Sequence, residues 1–211
     1  MLQTQNAYLS GLIMLIILFF SCTAQDPISP LISEEQESRT APVQRENQDT
    51  EALKKEAISL IKRFGGQLKP RLKAAMQEGG AEKAIEICAE QAPAIAAALS
   101  AETGWDISRV SLKNRSPHNA PDAWEKNVLQ SWDMEVERGV DANTLVRQQL
   151  DMDQFRFMKA QKTEALCLGC HGETIVPQVK RKLGETYPDD LATGYTLGQV
   201  RGAFSVSRKL N

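Results

Sequence analysis

The chain has 211 residues, a formal net charge of −2 and 25% charged residues, with an isoelectric point near 5.8. That length suits one folded domain behind a leader, and the slightly acidic, mixed charge argues against nucleic acid as a partner. No internal repeat, phosphate-binding Gly-rich loop, nucleophile elbow or basic stripe occurs in the sequence, so nucleotide and acyl-transfer chemistry have no motif to rest on.

Leu12 to Phe20 is an unbroken apolar run followed by Ser21-Cys22-Thr23-Ala24. It is shorter than the roughly twenty residues needed to span a bilayer and fits the apolar core of a secretory signal over 1–21. Met1 to Gly11 lacks Lys and Arg, so only the α-amine supplies the usual positive charge. Phe19-Phe20-Ser21-Cys22 resembles a bacterial lipoprotein signal, with Cys22 as the lipidated residue and Phe19 where Leu is usual. Cleavage after Ala24, or retention as an anchor, are the alternatives. Each places the rest of the chain outside the cytoplasm, toward the periplasm, attached to the membrane if the lipid or the anchor is retained. Residues 22–50 are rich in Ser, Glu, Gln, Asn, Thr and Pro with scattered apolar positions, a composition that reads as a disordered tether.

The folded part is then 51–211. Leu53, Ala57, Leu60, Ile61, Phe64 and Leu68 fall at helical steps, so a helix is expected from Glu51 to about Glu78, bent or divided at Gly65-Gly66 and Pro70. Gly79-Gly80 ends it. A second helix starts at Ala81 with Ala84, Ile85, Cys88, Ala92, Ile95 and Leu99 inward, and Pro93 is expected to break it. Cys88 reads either as a small buried hydrophobe or as a distal iron ligand, because a lone thiol in an oxidising compartment is a liability unless something occupies it. Trp105 to Lys113 reads as a strand. The Pro- and Asn-rich turn from Asn114 to Asp122 leads into a helix, with Pro121 in its first turn and Trp124, Val128, Trp132 and Val136 as its stripe. His118, in that turn, reads as an exposed loop residue with iron ligation as the alternative.

Phe155 to Gln161 alternates like a strand and leads into Cys167-Leu168-Gly169-Cys170-His171. C-x-x-C-H is the attachment signature of a c-type haem: two thiols form thioethers with the vinyl groups and the adjacent His binds the iron. Cys167 and Cys170 are thus the candidate covalent anchors of one haem c and His171 the proximal ligand. A redox disulfide, or a Cys3His zinc set using Cys88, Cys167, Cys170 and one His, are the competing readings. A short helix is expected from Glu173 to Leu183, a loop from Gly184 to Gly198, and a final strand from Val200 to Val206 with Val200, Phe204 and Val206 on one face and Arg201 on the other.

Four blocks in this order carry a resemblance. They are Ala84-Ile85-Glu86-Ile87-Cys88 with Ala92-Pro93; Arg115-Ser116-Pro117 through Asn119-Ala120-Pro121-Asp122-Ala123-Trp124-Glu125; Cys167 to His171; and Gly194-Tyr195 through Arg201-Gly202-Ala203-Phe204-Ser205. The chain resembles the exported c-type haem-binding domains once filed as a domain of unknown function, from about Ala52 to Ser207. The resemblance implies an α+β fold with a PAS-like antiparallel sheet flanked by helices, the long ones N-terminal. It also implies iron held by His171 and by an upstream Cys, here Cys88, while His118 stands where the family pattern does not lead one to expect a His. Arg115, Tyr195 and Arg201 are candidate contacts for the haem propionates; placement on the surface or strand face is the alternative.

The function that follows is a non-enzymatic mono-haem cytochrome facing the periplasm, passing electrons to an unidentified redox partner or reporting redox state at low potential. A sensor module working through a partner chain or ligand exchange at Cys88 is the second reading. A haem peroxidase, which would need His118 as its acid–base group, is the third.

Overall fold

Apolar residues at helical spacing build the first element. The computed structural model describes residues 31–210, with side chains from residue 49 onward; the signal segment 1–21 and Cys22 lie outside the described residues. α1 spans Leu31–Thr103 as two arms that meet at Gly79 and Gly80, where the backbone leaves helical φ/ψ. Gly80 takes φ 67°, a left-handed conformation that L side chains resist. α1 begins inside the 22–50 segment whose composition suggested a tether; that stretch is rich in Glu, Gln and Arg, which are strong helix formers. Among the described residues no helix is long and apolar enough to cross a membrane.

The breaks expected at Gly65-Gly66, Pro70 and Pro93 do not occur, since only Gly79 and Gly80 are non-helical within α1. Pro70 and Pro93 are exposed, so each removes one backbone bond on the solvent side. Packing of the opposite face holds the turns on either side in place.

The remaining elements are β1 (Asp106–Val110), α2 (Ala123–Glu137), β2 (Val146–Leu150), β3 (Gln154–Lys162), α3 (Leu168–His171), α4 (Pro177–Thr186) and β4 (Val200–Lys209). The strands form one antiparallel sheet in the order β1-β4-β3-β2. Period-two alternation sends Phe155, Phe157, Ile107 and Val206 to one face, against Leu60, Ile61, Phe64, Ile95 and Leu99 of α1. Met158, Ala160, Ala203 and Val110 go to the other, against Val128, Leu129 and Trp132 of α2. The expected α+β fold, an antiparallel sheet flanked by helices, is the fold observed. α4 packs Val179 and Leu183 on Ile85 of the second arm of α1, with Cys170 partly buried beside them.

Two local features fix the ends of these elements. α2 starts at a capping box, Asp122 accepting from the Glu125 amide at 2.9 Å while Glu125 accepts from the Asp122 amide at 2.9 Å. Asp122 is thus the N-cap, and Pro121 precedes the helix instead of opening its first turn. The second feature is a bulge in β4. Gly202 pairs with Gln161 and Val200 with Lys162, which leaves Arg201 as the extra residue. The bulge reverses the alternation, so Val200 joins the α2 side while Phe204 and Val206 face α1; the single shared face expected from the sequence is therefore divided. Gly202 has φ 152°, and a Cβ there would lie 2.4 Å from the Val110 carbonyl oxygen.

Gly202→Ala should therefore lower stability by about 2 kcal/mol or more, read as a fall in the denaturation midpoint. Asp122→Ala should cost about 1 kcal/mol through loss of the cap. Guanidinium melts of both variants check this ranking; equal midpoints for the glycine variant and the parent chain would mean the bulge is not held as described.

Candidate functional site

The C-x-x-C-H residues sit at the end of β3, where the chain leaves the sheet through a 3-10 turn at Ala165–Cys167 and enters the single turn of α3. Cys167, Cys170 and Cys88 are all free and half-buried. Gly172 follows directly, and its amide donates to the Leu168 carbonyl at 2.9 Å. A side chain there would meet that same oxygen at 2.6 Å, so the turn closes only over glycine.

His171 is fixed from two sides. Its carbonyl accepts from the Tyr195 amide at 2.9 Å, and Gly172 accepts from the Gly194 amide at 3.0 Å, an isolated parallel bridge between the site turn and the 194–195 loop. Its ring Nδ1 lies 2.7 Å from the Ala192 carbonyl oxygen. Arg201 Nε also approaches Nδ1, at 3.1 Å. A carbonyl only accepts and a guanidinium only donates, so one proton position cannot satisfy both. An unprotonated Nδ1 would face the carbonyl lone pairs at 2.7 Å, so Nδ1–H donating to Ala192 is the consistent assignment. Nε2 is then the lone-pair nitrogen. Burial, then the neighbouring Arg201 and Arg115 charges, push the imidazole down to about 2, so it stays neutral at ordinary pH.

Arg115 organises the surroundings. It donates from Nε to both Asp190 carboxylate oxygens at 3.2 Å and from its terminal nitrogen to the Cys170 carbonyl at 2.5 Å and the Ala192 carbonyl at 3.2 Å. The pair is nearly buried, with side-chain exposures of 10% and 11%. Asp190 in turn accepts from the Ala192 amide at 2.8 Å, so one ion pair holds both the C-x-x-C-H turn and the carbonyl that orients His171. Arg201 donates to Ser111 Oγ at 3.0 Å and to the Lys113 carbonyl at 3.4 Å. Tyr195 shares that network through Ser111 Oγ at 3.2 Å and stands edge-on to His171, with 6.4 Å between ring centroids. Arg115, Arg201 and Tyr195, considered from the sequence as propionate contacts, are thus engaged with protein groups.

Cys88 comes to this cluster from the second arm of α1. Burial pushes its thiol up, and the charges of Arg109, Arg115 and Arg201 pull it back, while Cys167 adds to the rise. Burial likewise raises Cys170, with Arg115 opposing and Cys88 and Cys167 adding to the rise. His118 is exposed in the 3-10 turn Pro117–Asn119 and takes part in none of these contacts. Among the described residues no three His, Cys, Asp or Glu side chains are gathered closely enough to hold a bare metal ion, which leaves the Cys3His zinc alternative without a geometry.

The donor set does fit a porphyrin iron attached through the protein: two free thiols one turn apart, a neutral imidazole with Nε2 available, and a further thiol across the cluster. Sequence reasoning missed Arg109, Asp190, Ala192 and Ser111. Asp190 and Ala192 lie in a segment with loop composition and no motif. Ser111 and Arg109 are ordinary strand residues until β1 is paired with β4.

A comparison with curated proteins finds no match. Among solved structures, the crystal structure of the cyanobacterial heme-protein Tll0287 is similar, with 25% identity and a TM-score of 0.58, covering 76% of this chain and 96% of that one. Residues 33–208 match the Tll0287-like family, from the first arm of α1 to the end of β4, and the chain belongs to that family.

Proposed function

We propose that the chain is an exported mono-haem c-type cytochrome facing the periplasm, held to the membrane through Cys22 or its signal segment, and working in low-potential electron transfer or redox sensing. The observation that carries this reading is His171: a neutral imidazole whose Nδ1 is bound to Ala192, leaving Nε2 free beside two free thiols. The similar solved protein is a heme-protein, which supports the choice of group.

Cys167 and Cys170 would form the thioethers, His171 would bind the iron through Nε2, and Cys88 would supply the sixth ligand. When bound, the haem supplies the one-electron couple. The chain's part is to orient His171 through Ala192, to hold Ala192 through Asp190 and Arg115, and to place the Cys88 sulfur, raised by burial, where the Arg109, Arg115 and Arg201 charges ease loss of its proton. With both His171 and a Cys88 thiolate holding it, the group would supply a low-potential couple and would not take up oxygen or peroxide. That favours an electron carrier or redox reporter over a peroxidase, whose acid–base group would have to be the exposed His118. A sensor acting through a partner chain or through ligand exchange at Cys88 would use the same residues.

Ultraviolet–visible and electron paramagnetic resonance spectra of the ferric protein beside Cys88→Ala test the ligand set. A low-spin thiolate signature should be present and should vanish in the variant, whose potential should rise. An unchanged spectrum would remove Cys88 from the iron, and absence of haem absorption from cells competent for attachment would overturn the reading as a whole. The reduced parent protein should leave its spectrum unchanged under carbon monoxide, whereas Cys88→Ala should bind it.

A further inference from the structure

Arg109 stands on β1 opposite Phe204 of β4, on the same sheet face as Ile107 and so toward α1. Its guanidinium lies 5.7 Å from the centroid of the Phe64 ring, and that ring packs edge-on against Phe204 at 5.4 Å. The strand is fixed at this point, since the Arg109 carbonyl accepts from Asn119 Nδ2 at 2.6 Å. Burial depresses the guanidinium from its ordinary range, and the titratable groups facing it are the Cys88 thiol of α1 and the Tyr187 phenol after α4, with the cation of Arg115 after β1.

The contrast with its neighbours is chemical. Arg115 has the Asp190 carboxylate and two carbonyls, and Arg201 has Ser111 Oγ, the Lys113 carbonyl and the His171 ring beside it. Among the described residues, Arg109 has no carboxylate and no hydrogen-bond acceptor on its guanidinium, which lies instead over the Phe64 ring. A guanidinium withdrawn from water without an anion is unfavourable. Its flat fork is suited to a carboxylate held by two parallel bonds.

We propose that Arg109, and not Arg115 or Arg201, is the residue that binds a haem propionate carboxylate. This rests on the haem reading above. Arg115 and Arg201 are positioning residues for the Cys170–His171 turn, and Arg109 is the cation left to receive the ligand's own anion.

The test compares the haem-loaded full-length chain with Arg109→Gln and Arg109→Lys by resonance Raman spectroscopy and redox titration. In Arg109→Gln the propionate-bending band should move and the reduction potential should fall, because a positive charge near the iron has been removed; Arg109→Lys should recover most of the potential and part of the band position. An unmoved band in Arg109→Gln, with haem bound as in the parent chain, overturns the proposal. So does a moved potential that accompanies loss of the Cys88 thiolate signature with the band unmoved, which would make Arg109 the partner of the thiolate. Should the glutamine variant load haem poorly, the haem-free full chain decides. There Arg109→Gln should raise the melting temperature, since it removes a half-buried cation with no anion beside it, and a fall would show that the Phe64 ring or another protein group already balances the charge, which overturns the proposal. A parent chain that takes up no haem under attachment conditions defeats the reading beneath the proposal, and that result is seen before any variant is made.

Discussion

The bond between His171 Nδ1 and the Ala192 carbonyl determines which nitrogen of the ring keeps its lone pair, and most of the site is arranged to keep that carbonyl in place. Ala192 belongs to a segment without regular structure, and a loop carbonyl held only by its own backbone would wander. Here Asp190 accepts from the Ala192 amide and Arg115 donates to the Ala192 carbonyl, while Arg115 and Asp190 hold each other. The ion pair is nearly buried, so breaking it would leave a charge without water or partner, and it also reaches the Cys170 carbonyl. One guanidinium thus ties the stretch after β1, the loop after α4 and the C-x-x-C-H turn into a single rigid unit.

The sheet serves the same end from below. Its antiparallel order brings β1 beside β4, and the bulge at Arg201–Gly202 turns the Arg201 side chain out of the alternation toward His171 and Ser111. Gly202 makes this possible by its positive φ and by the missing Cβ that would strike Val110. Packing, backbone geometry and site chemistry meet at that one residue pair.

Much of this was legible in the sequence, and what was not has identifiable physical causes. The stripes of α1 and α2, the turn at Gly79-Gly80 and the alternation of β3 follow from periodicity. The gathering of Cys88 with the C-x-x-C-H turn was weighed from its lone thiol and favoured by the resemblance. Pro93 and Pro70 misled because their rings face solvent, where tertiary packing of the other face overrides a lost bond. β2 was invisible: it is an edge strand whose Val146 and Leu150 are exposed, so no face alternates. The bulge was invisible because Val200, Phe204 and Val206 look like one stripe until the pairing with Gln161 and Lys162 shows the extra residue. Arg109 was passed over as a strand residue, since its significance lies in what its neighbours have and it lacks.

Three guanidinium groups within electrostatic reach of one another raise a question of balance. Burial lowers Arg201, and the Arg115 and Arg109 charges add to the fall, so the cluster opposes itself, yet only one carboxylate, Asp190, is paired with it among the described residues. Such an excess of buried positive charge makes sense where negative charge is to arrive from elsewhere. A buried thiol left alone would keep its proton, and the three cations oppose that tendency at Cys88. On the proposed reading the incoming group brings carboxylates of its own. The arrangement is then an electrostatic deficit fixed by the fold and completed by the cofactor, with Arg115 already satisfied, Arg201 turned to His171, and Arg109 as the position where the balance is closed.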